Sequence, residues 1–447
     1  MPFLILRYAL PASVCLLLAG CGGSGGNTGG GGGGGGTNPT MVTVNFSGAA
    51  PIAIATQIGS GTFAAATESS NVVTFSVPNG TLNYAIAWVC FQSQSGSAYT
   101  QTQQYVIEAT TSDATSYNAG CSQAGPAGTT GTLTMSVDAS AFNATSEIPD
   151  YLLIEAQDGV DFASTEPDGL VASNISLTAP AGSDRVDIMV YAFSLPGSFV
   201  SQYIVAAKSF TGVAVPGALN GGSNVVFSSA DATIQEPITY NNAPSGFSPA
   251  SALVLVTPAG EQYSYLANLE ATTAYSALPA SIAQSGDQYF LSASTSNVVT
   301  SGQSSIVESV SESRNFAGAG PVTVTFPAPW SYSGPTPAAL PTLDIDYSGF
   351  AGQPNVADEA AIEWSPPSDA NTQYFYQLTS TSNYQDGSAT VKFPDLSTLT
   401  GFIPDPVSGA TVNWTAEVLQ STVGPWQPES NNVTGFSVGD NGTYKVP

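Results

Sequence analysis

Apolar and polar residues alternate along almost the whole chain after residue 40. The segments 42–46, 73–77 and 84–90 show this period-2 pattern clearly, and Gly, Pro, Asn and Ser separate such segments from one another. Alternation of this kind, bounded by turn residues, is typical of β-strands. No segment has the pattern of a capped amphipathic helix of ten or more residues. The sequence therefore predicts an all-β protein.

Three kinds of segment recur along the chain in the same order. Strand-like segments begin at Val42, Leu133, Val225 and Val322. Segment 86–91 aligns with 188–193, and 105–109 is similar to 203–207 and 305–309. The repeat length of about 95 residues exceeds that of propeller blades and solenoids, and it suits a β-sandwich of about seven strands. We expect tandem sandwiches at residues 41–130, 131–223 and 224–335, and a fourth at 336–447.

Local motifs predict several turns and buried side chains. Asp440-Asn441-Gly442 is typical of a hairpin turn before a last strand. Trp88, Trp364 and Trp414 lie in alternating segments and are predicted to be in the core. Trp330 and Tyr332 lie in the Pro-rich stretch 327–341. They are weak candidates for ligand binding, and packing against a neighbouring module is the favoured interpretation.

Two sets of motifs resemble known families of sandwich domains. Segment 75–80 leads into a long alternating strand, and this pattern resembles prealbumin-like, or carboxypeptidase-regulatory-like, domains. Segments 362–367, 374–378 and 412–414 contain Trp364, Tyr374 and Trp414, and together they resemble a fibronectin type III domain. The resemblances imply immunoglobulin-like or prealbumin-like sandwiches that bind or space other molecules outside the cell. Neither resemblance brings a catalytic set of residues.

The N-terminus has the features of an export signal. Residues 1–20 contain one cation, Arg7, and then a short apolar run, which is typical of a secretory signal peptide. The run ends in Leu18-Ala19-Gly20-Cys21, which resembles the lipobox of bacterial lipoproteins. That resemblance implies cleavage before Cys21 and lipidation of its thiol. Residues 21–40 would then be a lipidated cysteine and a flexible Gly-rich linker, and the protein would be anchored in the cell envelope, at the outer membrane or the cell surface.

Composition restricts the chemistry that the chain can perform. It has 6 Lys and Arg against 32 Asp and Glu, a net charge of −26 and no histidine. Binding to nucleic acid needs clustered cations and is excluded. Triads and metal sites that use histidine are excluded as well. We predict no cofactor and no enzymatic activity. A pair of carboxylates acting in glycoside hydrolysis is the remaining catalytic alternative.

Two further predictions concern side-chain chemistry. After export, Cys90 and Cys121 would form an even pair in an oxidising compartment, which predicts a disulfide, with two free thiols as the alternative. Carboxylates cluster in one loop-rich stretch, where we predict solvated turn residues and no metal, with Ca²⁺ binding as the weak alternative. These weak calcium candidates are Asp158, Asp161, Glu166 and Asp168.

The sequence as a whole predicts a surface lipoprotein that acts as a structural or adhesive scaffold. Its expected partners are the membrane, through the lipid, and an envelope protein or a glycan. The alternative is an enzyme, or an accessory carbohydrate-binding subunit, that acts on extracellular polysaccharide. A surface pair of carboxylates in a groove would favour that alternative.

Overall fold

The chain folds almost entirely into β-strands, which confirms the predicted all-β class. The strands form four consecutive sandwiches, numbered one to four along the chain. The computed structural model describes residues 39–93, 100–121, 130–142, 151–156, 162–164, 170–194, 201–246, 248–256, 262–265, 274–279, 283, 285–301, 304–329, 334–345, 350, 353, 355–369, 371–385, 390–421 and 435–447.

Sandwich one contains seven strands in two sheets. They are β1 (Thr40–Gly48), β2 (Ala53–Ile58), β3 (Ala64–Ala66), β4 (Val72–Val77), β5 (Asn83–Ser93), β6 (Thr100–Thr110) and β7 (Ser116–Cys121). In the small sheet, β1 pairs antiparallel with β4 and parallel with β7. The facing sheet has the order β3-β2-β5-β6. Alternating residues such as Val42, Val44, Ile86 and Trp88 fill the space between the two sheets.

Sandwich two repeats this arrangement. Its strands are β8 (Thr130–Asp138), β9 (Tyr151–Ala156), β10 (Phe162–Ser164), β11 (Val171–Pro180), β12 (Gly182–Ser194), β13 (Ser201–Val215), β14 (Gly217–Ala218) and β15 (Val225–Val226). The first strand, β8, pairs antiparallel with β11 and parallel with β14 and β15. The facing sheet has the order β10-β9-β12-β13. Strand β15 completes the small sheet and lies just beyond the predicted boundary at residue 223.

Sandwich three has the same order of strands. They are β16 (Ile234–Asn241), β17 (Ser248–Val256), β18 (Gln262–Tyr265), β19 (Ala274–Ala277), β20 (Gln288–Ser301), β21 (Ser304–Phe316) and β22 (Val322–Thr325). The small sheet is β19-β16-β22, with β22 parallel to β16, and it faces β18-β17-β20-β21. Three short 3₁₀ helices also occur in the described residues, at Ser140–Phe142, Leu219–Gly222 and Ser229–Asp231.

Sandwich four has a different order of strands. Its elements are β23 (Thr342–Asp344), β24 (Val356–Trp364), β25 (Thr372–Thr381), α1 (Ser382–Gln385), β26 (Thr390–Lys392), β27 (Thr411–Ser421) and β28 (Gly435–Lys445). Strands β23 and β26 form a two-stranded sheet, and the facing sheet has the order β25-β24-β27-β28. Trp364 and Trp414 are buried in its core, and Trp88 is buried in sandwich one, as predicted.

Sandwich four joins sandwiches one and three through a continuous sheet of twelve strands, here called the large sheet. Its order is β18-β17-β20-β21-β28-β27-β24-β25-β6-β5-β2-β3. The edge strand β28 pairs antiparallel with β21 of sandwich three, and the opposite edge strand β25 pairs parallel with β6 of sandwich one. The last sandwich in the sequence therefore lies between the first and the third in the sheet.

The cores of neighbouring sandwiches merge because several strands are apolar on both faces. Ile86 and Trp88 of β5 point into the core of sandwich one, whereas Ala87 and Val89 of the same strand belong to the core shared by sandwiches three and four. Met189 and Ala207 of sandwich two also join that shared core. A strand that buries both faces stabilises its own sandwich and the contact with its neighbour.

The structure corrects two sequence-based interpretations. The segments beginning at Val42 and Val322 are not equivalent, because one lies in the first strand of its sandwich and the other in the last strand. First and last strands are parallel neighbours in a small sheet, so both alternate between core and solvent. Asp440-Asn441-Gly442 is not a hairpin turn, because β28 passes through it and pairs on both sides, with β27 and β21.

Candidate functional site on the sheet of sandwich four

The disulfide predicted between Cys90 and Cys121 is present. The two Cα atoms are 5.2 Å apart, and the bridge joins β5 of the large sheet to β7 of the small sheet. Both cysteines are buried in the core of sandwich one. The disulfide therefore ties together the two layers of the sandwich that follows the Gly-rich linker.

The other predicted site residues lie outside the described residues. These are the lipidation candidate Cys21, the calcium candidates Asp158, Asp161, Glu166 and Asp168, and the aromatic candidates Trp330 and Tyr332. The structure does not test the predictions made for these residues. Within the ranges that the structure describes, no three or more Cys, Asp or Glu side chains are placed to hold a metal ion. The same ranges contain no helix with the length and apolar character needed to cross a bilayer.

Glu359 and Glu417 form a pair on the outer face of sandwich four. They lie directly opposite each other on the antiparallel strands β24 and β27. Cβ atoms of directly opposed residues are about 5 Å apart, so the two carboxyl groups lie close together. Both side chains are half-buried on the face of the sheet that points away from Ile362 and Trp364. This pair of carboxylates is the main feature of the candidate site.

Polar side chains extend the pair into a row across five strands. Glu359 has a hydrogen bond with Gln377 of β25, and Glu417 has one with Ser437 of β28. The Ser437 and Ser311 hydroxyl oxygens are 2.7 Å apart. We call Ser311, Ser437, Glu417, Glu359 and Gln377 the carboxylate row.

Burial makes both glutamates weaker acids, and repulsion adds to this effect for Glu359. Burial raises the pKa of Glu359, and the charge of Glu417 raises it further, while the hydrogen bond from Gln377 opposes the rise. Burial also raises the pKa of Glu417 against the opposing hydrogen bond from Ser437. The two carboxyl groups therefore titrate as a coupled pair, with pKa values above the usual range of a glutamate.

Gly439 allows β28 to approach Glu417 closely. Gly439 lies opposite Glu417, and a Cβ atom on it would be 2.6 Å from the Glu417 Cβ and 2.8 Å from the Ala416 carbonyl oxygen. Any larger residue would have to push β27 and β28 apart. The glycine therefore helps to position Glu417.

A third buried acid lies where sandwiches one and four join. Glu108 of β6 lies opposite Ser380 of β25, which in turn lies opposite Asp358 of β24. Burial raises the pKa of Glu108 to about 7, and its hydrogen bond with Ser380 opposes the rise. Asp358 is fully buried. The junction thus contains acids on the face of the large sheet that carries Ile362 and Trp364, whereas the carboxylate row lies on the opposite face.

A pocket of about 380 Å³ lies at one end of the same sheet. Three segments line it: the end of β24 with the turn that follows, the start of β25, and the start of β27 with the residues before it. Its polar lining includes Glu363, Gln373 and Asn413, and the Asn413 Nδ2 donates to the Glu363 Oε2 at 3.4 Å. Glu363 is on β24, four residues beyond Glu359, so the pocket and the carboxylate row share the outer face.

Sequence reasoning missed both features. Glu359 and Glu417 are nearly 60 residues apart in sequence, and nothing local indicates that their strands are neighbours. The alternation in 356–364 does place Glu359, Ala361 and Glu363 on one face, so the sequence indicates that the two glutamates share a face. The register with β27 required the tertiary structure.

Comparison with known proteins adds little to this picture. No protein-family model matches the chain, and the search of curated proteins finds no match. Among solved structures, the Bacillus anthracis TIE protein is similar over 64% of this chain and 50% of its own length, with 10% identity and a TM-score of 0.13. This chain therefore spans half of that protein, and a likeness so weak supports no argument about function.

Proposed function

We propose that this protein is an exported lipoprotein, anchored to the cell envelope through Cys21, that acts as a structural or adhesive scaffold. The lipobox-like segment Leu18-Ala19-Gly20-Cys21 supports the anchor. The Gly-rich linker would hold the folded part at a distance from the membrane of roughly 25 Å. The outer membrane or the cell surface is the proposed location.

The continuous large sheet is the observation that favours a scaffold. Main-chain pairing of β28 with β21 and of β25 with β6 makes sandwiches one, three and four one hydrogen-bonded unit. Force applied to one sandwich is passed to the others through backbone hydrogen bonds and a shared core. A chain of sandwiches joined only by loops would lack this stiffness.

We also propose family relationships for the sandwiches. Sandwiches one to three would be prealbumin-like, supported by their common strand order, in which the first strand is antiparallel to the fourth and parallel to the last. Sandwich four would be fibronectin type III-like, supported by its β25-β24-β27-β28 sheet, which faces the β23-β26 pair.

Metabolic labelling tests the anchor. Cells that produce the wild-type chain or the Cys21→Ser variant are fed a palmitate analogue and fractionated with detergent. We expect the label and membrane association in the wild type only. Equal labelling of the variant would refute lipidation at Cys21.

Envelope phenotypes test the scaffold. Cells receive the wild type, Cys21→Ser, or Asp113→Ala combined with Gln104→Ala, which removes side-chain contacts between sandwiches one and four. We expect both variants to impair surface adhesion or resistance to detergent, whereas Glu359→Gln should behave as wild type. If cells that lack the protein have a normal envelope but cannot grow on a polysaccharide, the result would favour the alternative function in polysaccharide use.

The carboxylate pair supports a second candidate, a glycoside hydrolase that uses Glu359 and Glu417. One protonated and one ionised carboxyl group are what such hydrolysis requires. Purified full-length chain would be incubated with soluble polysaccharides, and the release of reducing ends would be measured. Hydrolysis that is lost in both Glu359→Gln and Glu417→Gln, but kept in Glu236→Gln on β16 of sandwich three, would establish this function. No release from any substrate would reject it.

A further inference from the structure

We infer that the pocket beside the carboxylate row binds a neutral sugar unit of a glycan. Its lining includes the polar residues Glu363, Ser365, Gln373, Thr411 and Asn413, beside two prolines. Its volume of about 380 Å³ is within the range of small-ligand sites. This inference goes beyond the proposed scaffold and does not depend on it.

The polar lining matches a ligand that both donates and accepts hydrogen bonds. The Glu363 carboxylate accepts, while the carboxamides of Gln373 and Asn413 and the hydroxyls of Ser365 and Thr411 both donate and accept. Adjacent hydroxyl groups of a sugar satisfy such a mixture. An anion would meet the Glu363 carboxylate, and an amine would leave the amide donors without acceptors.

Acidic side chains outnumber cations around the pocket, because Glu363 lines it and Asp369 lies in the turn that forms its proline wall. Lys445 lies opposite Thr411 in the register of β27 and β28, so one cation borders the site that contains Glu363. Within the part of the chain that the structure describes, Lys445 is the cation on this face of sandwich four. The excess of negative charge disfavours an anionic polymer as the ligand.

Apolar walls complete the site. The rings of Pro366 and Pro367 form one side, whereas the Trp364 ring, only 3% exposed, lies in the core on the other face of the sheet, 5.5 Å from that of Tyr374. The carbon-bound hydrogens of a sugar ring can pack against such surfaces. Polar edges with an apolar wall are the arrangement that a sugar requires.

Hydrogen bonds fix the turn after β24. The Asp369 backbone N–H donates to the Pro366 carbonyl oxygen at 3.0 Å, and the Thr372 hydroxyl donates to the Asp369 carboxylate at 2.7 Å. The Asn371 backbone N–H donates to the other oxygen of that carboxylate at 3.0 Å. The proline wall is therefore formed before a ligand arrives.

The opposite side of the pocket is fixed as well. The backbone N–H of Gly409 donates to the Val446 carbonyl oxygen, and that of Val446 donates to the Ala410 carbonyl oxygen, both at 2.9 Å. Gly409 has a φ of +86°, which favours glycine, and open space lies where a Cβ atom would be. A preformed pocket loses little entropy when it binds a ligand.

Titration of the purified full-length chain tests the inference. The probes are neutral hexasaccharides of glucose, mannose, galactose and xylose, and calorimetry or NMR measures binding. We expect saturable binding of at least one of them, unchanged by 0.5 M NaCl. Glu363→Ala and Asn413→Ala should each weaken it at least tenfold, and Glu363→Gln serves if the alanine variant does not fold.

Matched controls make the result decisive. Gln288→Ala removes an exposed glutamine from β20, away from the pocket, and should leave the affinity unchanged. Melting temperatures equal to wild type show that the pocket variants are folded. No saturable binding of any neutral probe would overturn the inference, and so would full affinity in a variant that combines Glu363→Ala with Asn413→Ala. Salt-sensitive binding of alginate or polylysine alone would also overturn it, and none of these results bears on the scaffold.

Discussion

The disulfide between Cys90 and Cys121 restrains the first sandwich more than any single noncovalent contact there. It closes a loop of 31 residues between the two sheets. In the chain-entropy model such a loop contributes about 3–4 kcal/mol to the free energy of unfolding. Replacing both cysteines by alanine should therefore lower that free energy by about this amount. Denaturant unfolding of wild type and variant, read from fluorescence, measures it, and an unchanged midpoint would contradict the estimate.

Gly439 is a second residue whose replacement has a predictable cost. A methyl group there would collide with the Cβ of Glu417 and the carbonyl oxygen of Ala416. Gly439→Ala should lower the unfolding free energy by about 1–3 kcal/mol, because β27 and β28 must separate. Gly320→Ala is a contrasting variant, because a Cβ atom on Gly320 would meet no atom within 4 Å and its backbone is not in the left-handed region. A chemical denaturation series compares the two, and equal, small losses would argue against close approach at Gly439.

Among the elements, the turn after β6 acts as a clamp between sandwiches one and four. Asp113 accepts hydrogen bonds from the Thr110 backbone and hydroxyl within its own sandwich. The same carboxylate accepts from the Thr381 hydroxyl at 2.6 Å and from the Asn383 side-chain amide. One carboxylate thus fastens the end of β6 to the end of β25.

Removal of this clamp should loosen the junction between β6 and β25. Hydrogen bonds to a charged group contribute about 1.5–3 kcal/mol each, and Asp113→Ala removes four, so we expect a loss of at least 2 kcal/mol. Hydrogen exchange in the variant should accelerate more in β6 and β25 than in β9 and β12 of sandwich two. Asp395→Ala is the control, because its carboxylate accepts only local bonds from Ser397. Equal exchange in both variants would show that Asp113 has no role between the sandwiches.

At the scale of the whole molecule, stability should fall as the pH rises from 5 to 8. Burial raises the pKa of Glu108 to about 7. Burial also raises the pKa of Glu359, and repulsion from Glu417 adds to that rise. A carboxyl group with a higher pKa in the folded state stabilises the fold fully below about pH 4.5, and this contribution is lost as the pH rises through the folded pKa. The combined loss should be several kcal/mol, because each pKa unit corresponds to about 1.4 kcal/mol.

Thermal and denaturant unfolding between pH 5 and 8 tests this dependence. Glu108→Gln and Glu359→Gln should each flatten the curve, because an amide cannot ionise. Asp369→Asn is the control, since hydrogen bonds from Thr372 and Asn371 lower the pKa of Asp369 and its contribution changes only at lower pH. Stability that rises towards pH 8, or unaltered slopes in the glutamine variants, would refute the assignment.

The sequence by itself determined what local physics controls. Alternation with period 2 predicted the strands, and buried tryptophans followed from it, because a side chain on the apolar face of a strand has few other places to go. The even pair of cysteines predicted the disulfide. The similarity of 105–109 to 203–207 and 305–309 also marked equivalent strands, since β6, β13 and β21 occupy the same position in their sandwiches.

Only the tertiary structure decided how the sandwiches combine. The pairing of β25 with β6 joins residues that are more than 270 positions apart, and no local pattern specifies such a contact. Tertiary pairing also overrode the turn propensity of Asp440-Asn441-Gly442, because a strand that gains hydrogen bonds on both sides outweighs a local preference. The register that places Glu359 opposite Glu417 depends on the whole sheet. The physical reason is the same in each case. The strand that pairs with an edge, and the side chains that cover a face, come from segments distant in sequence.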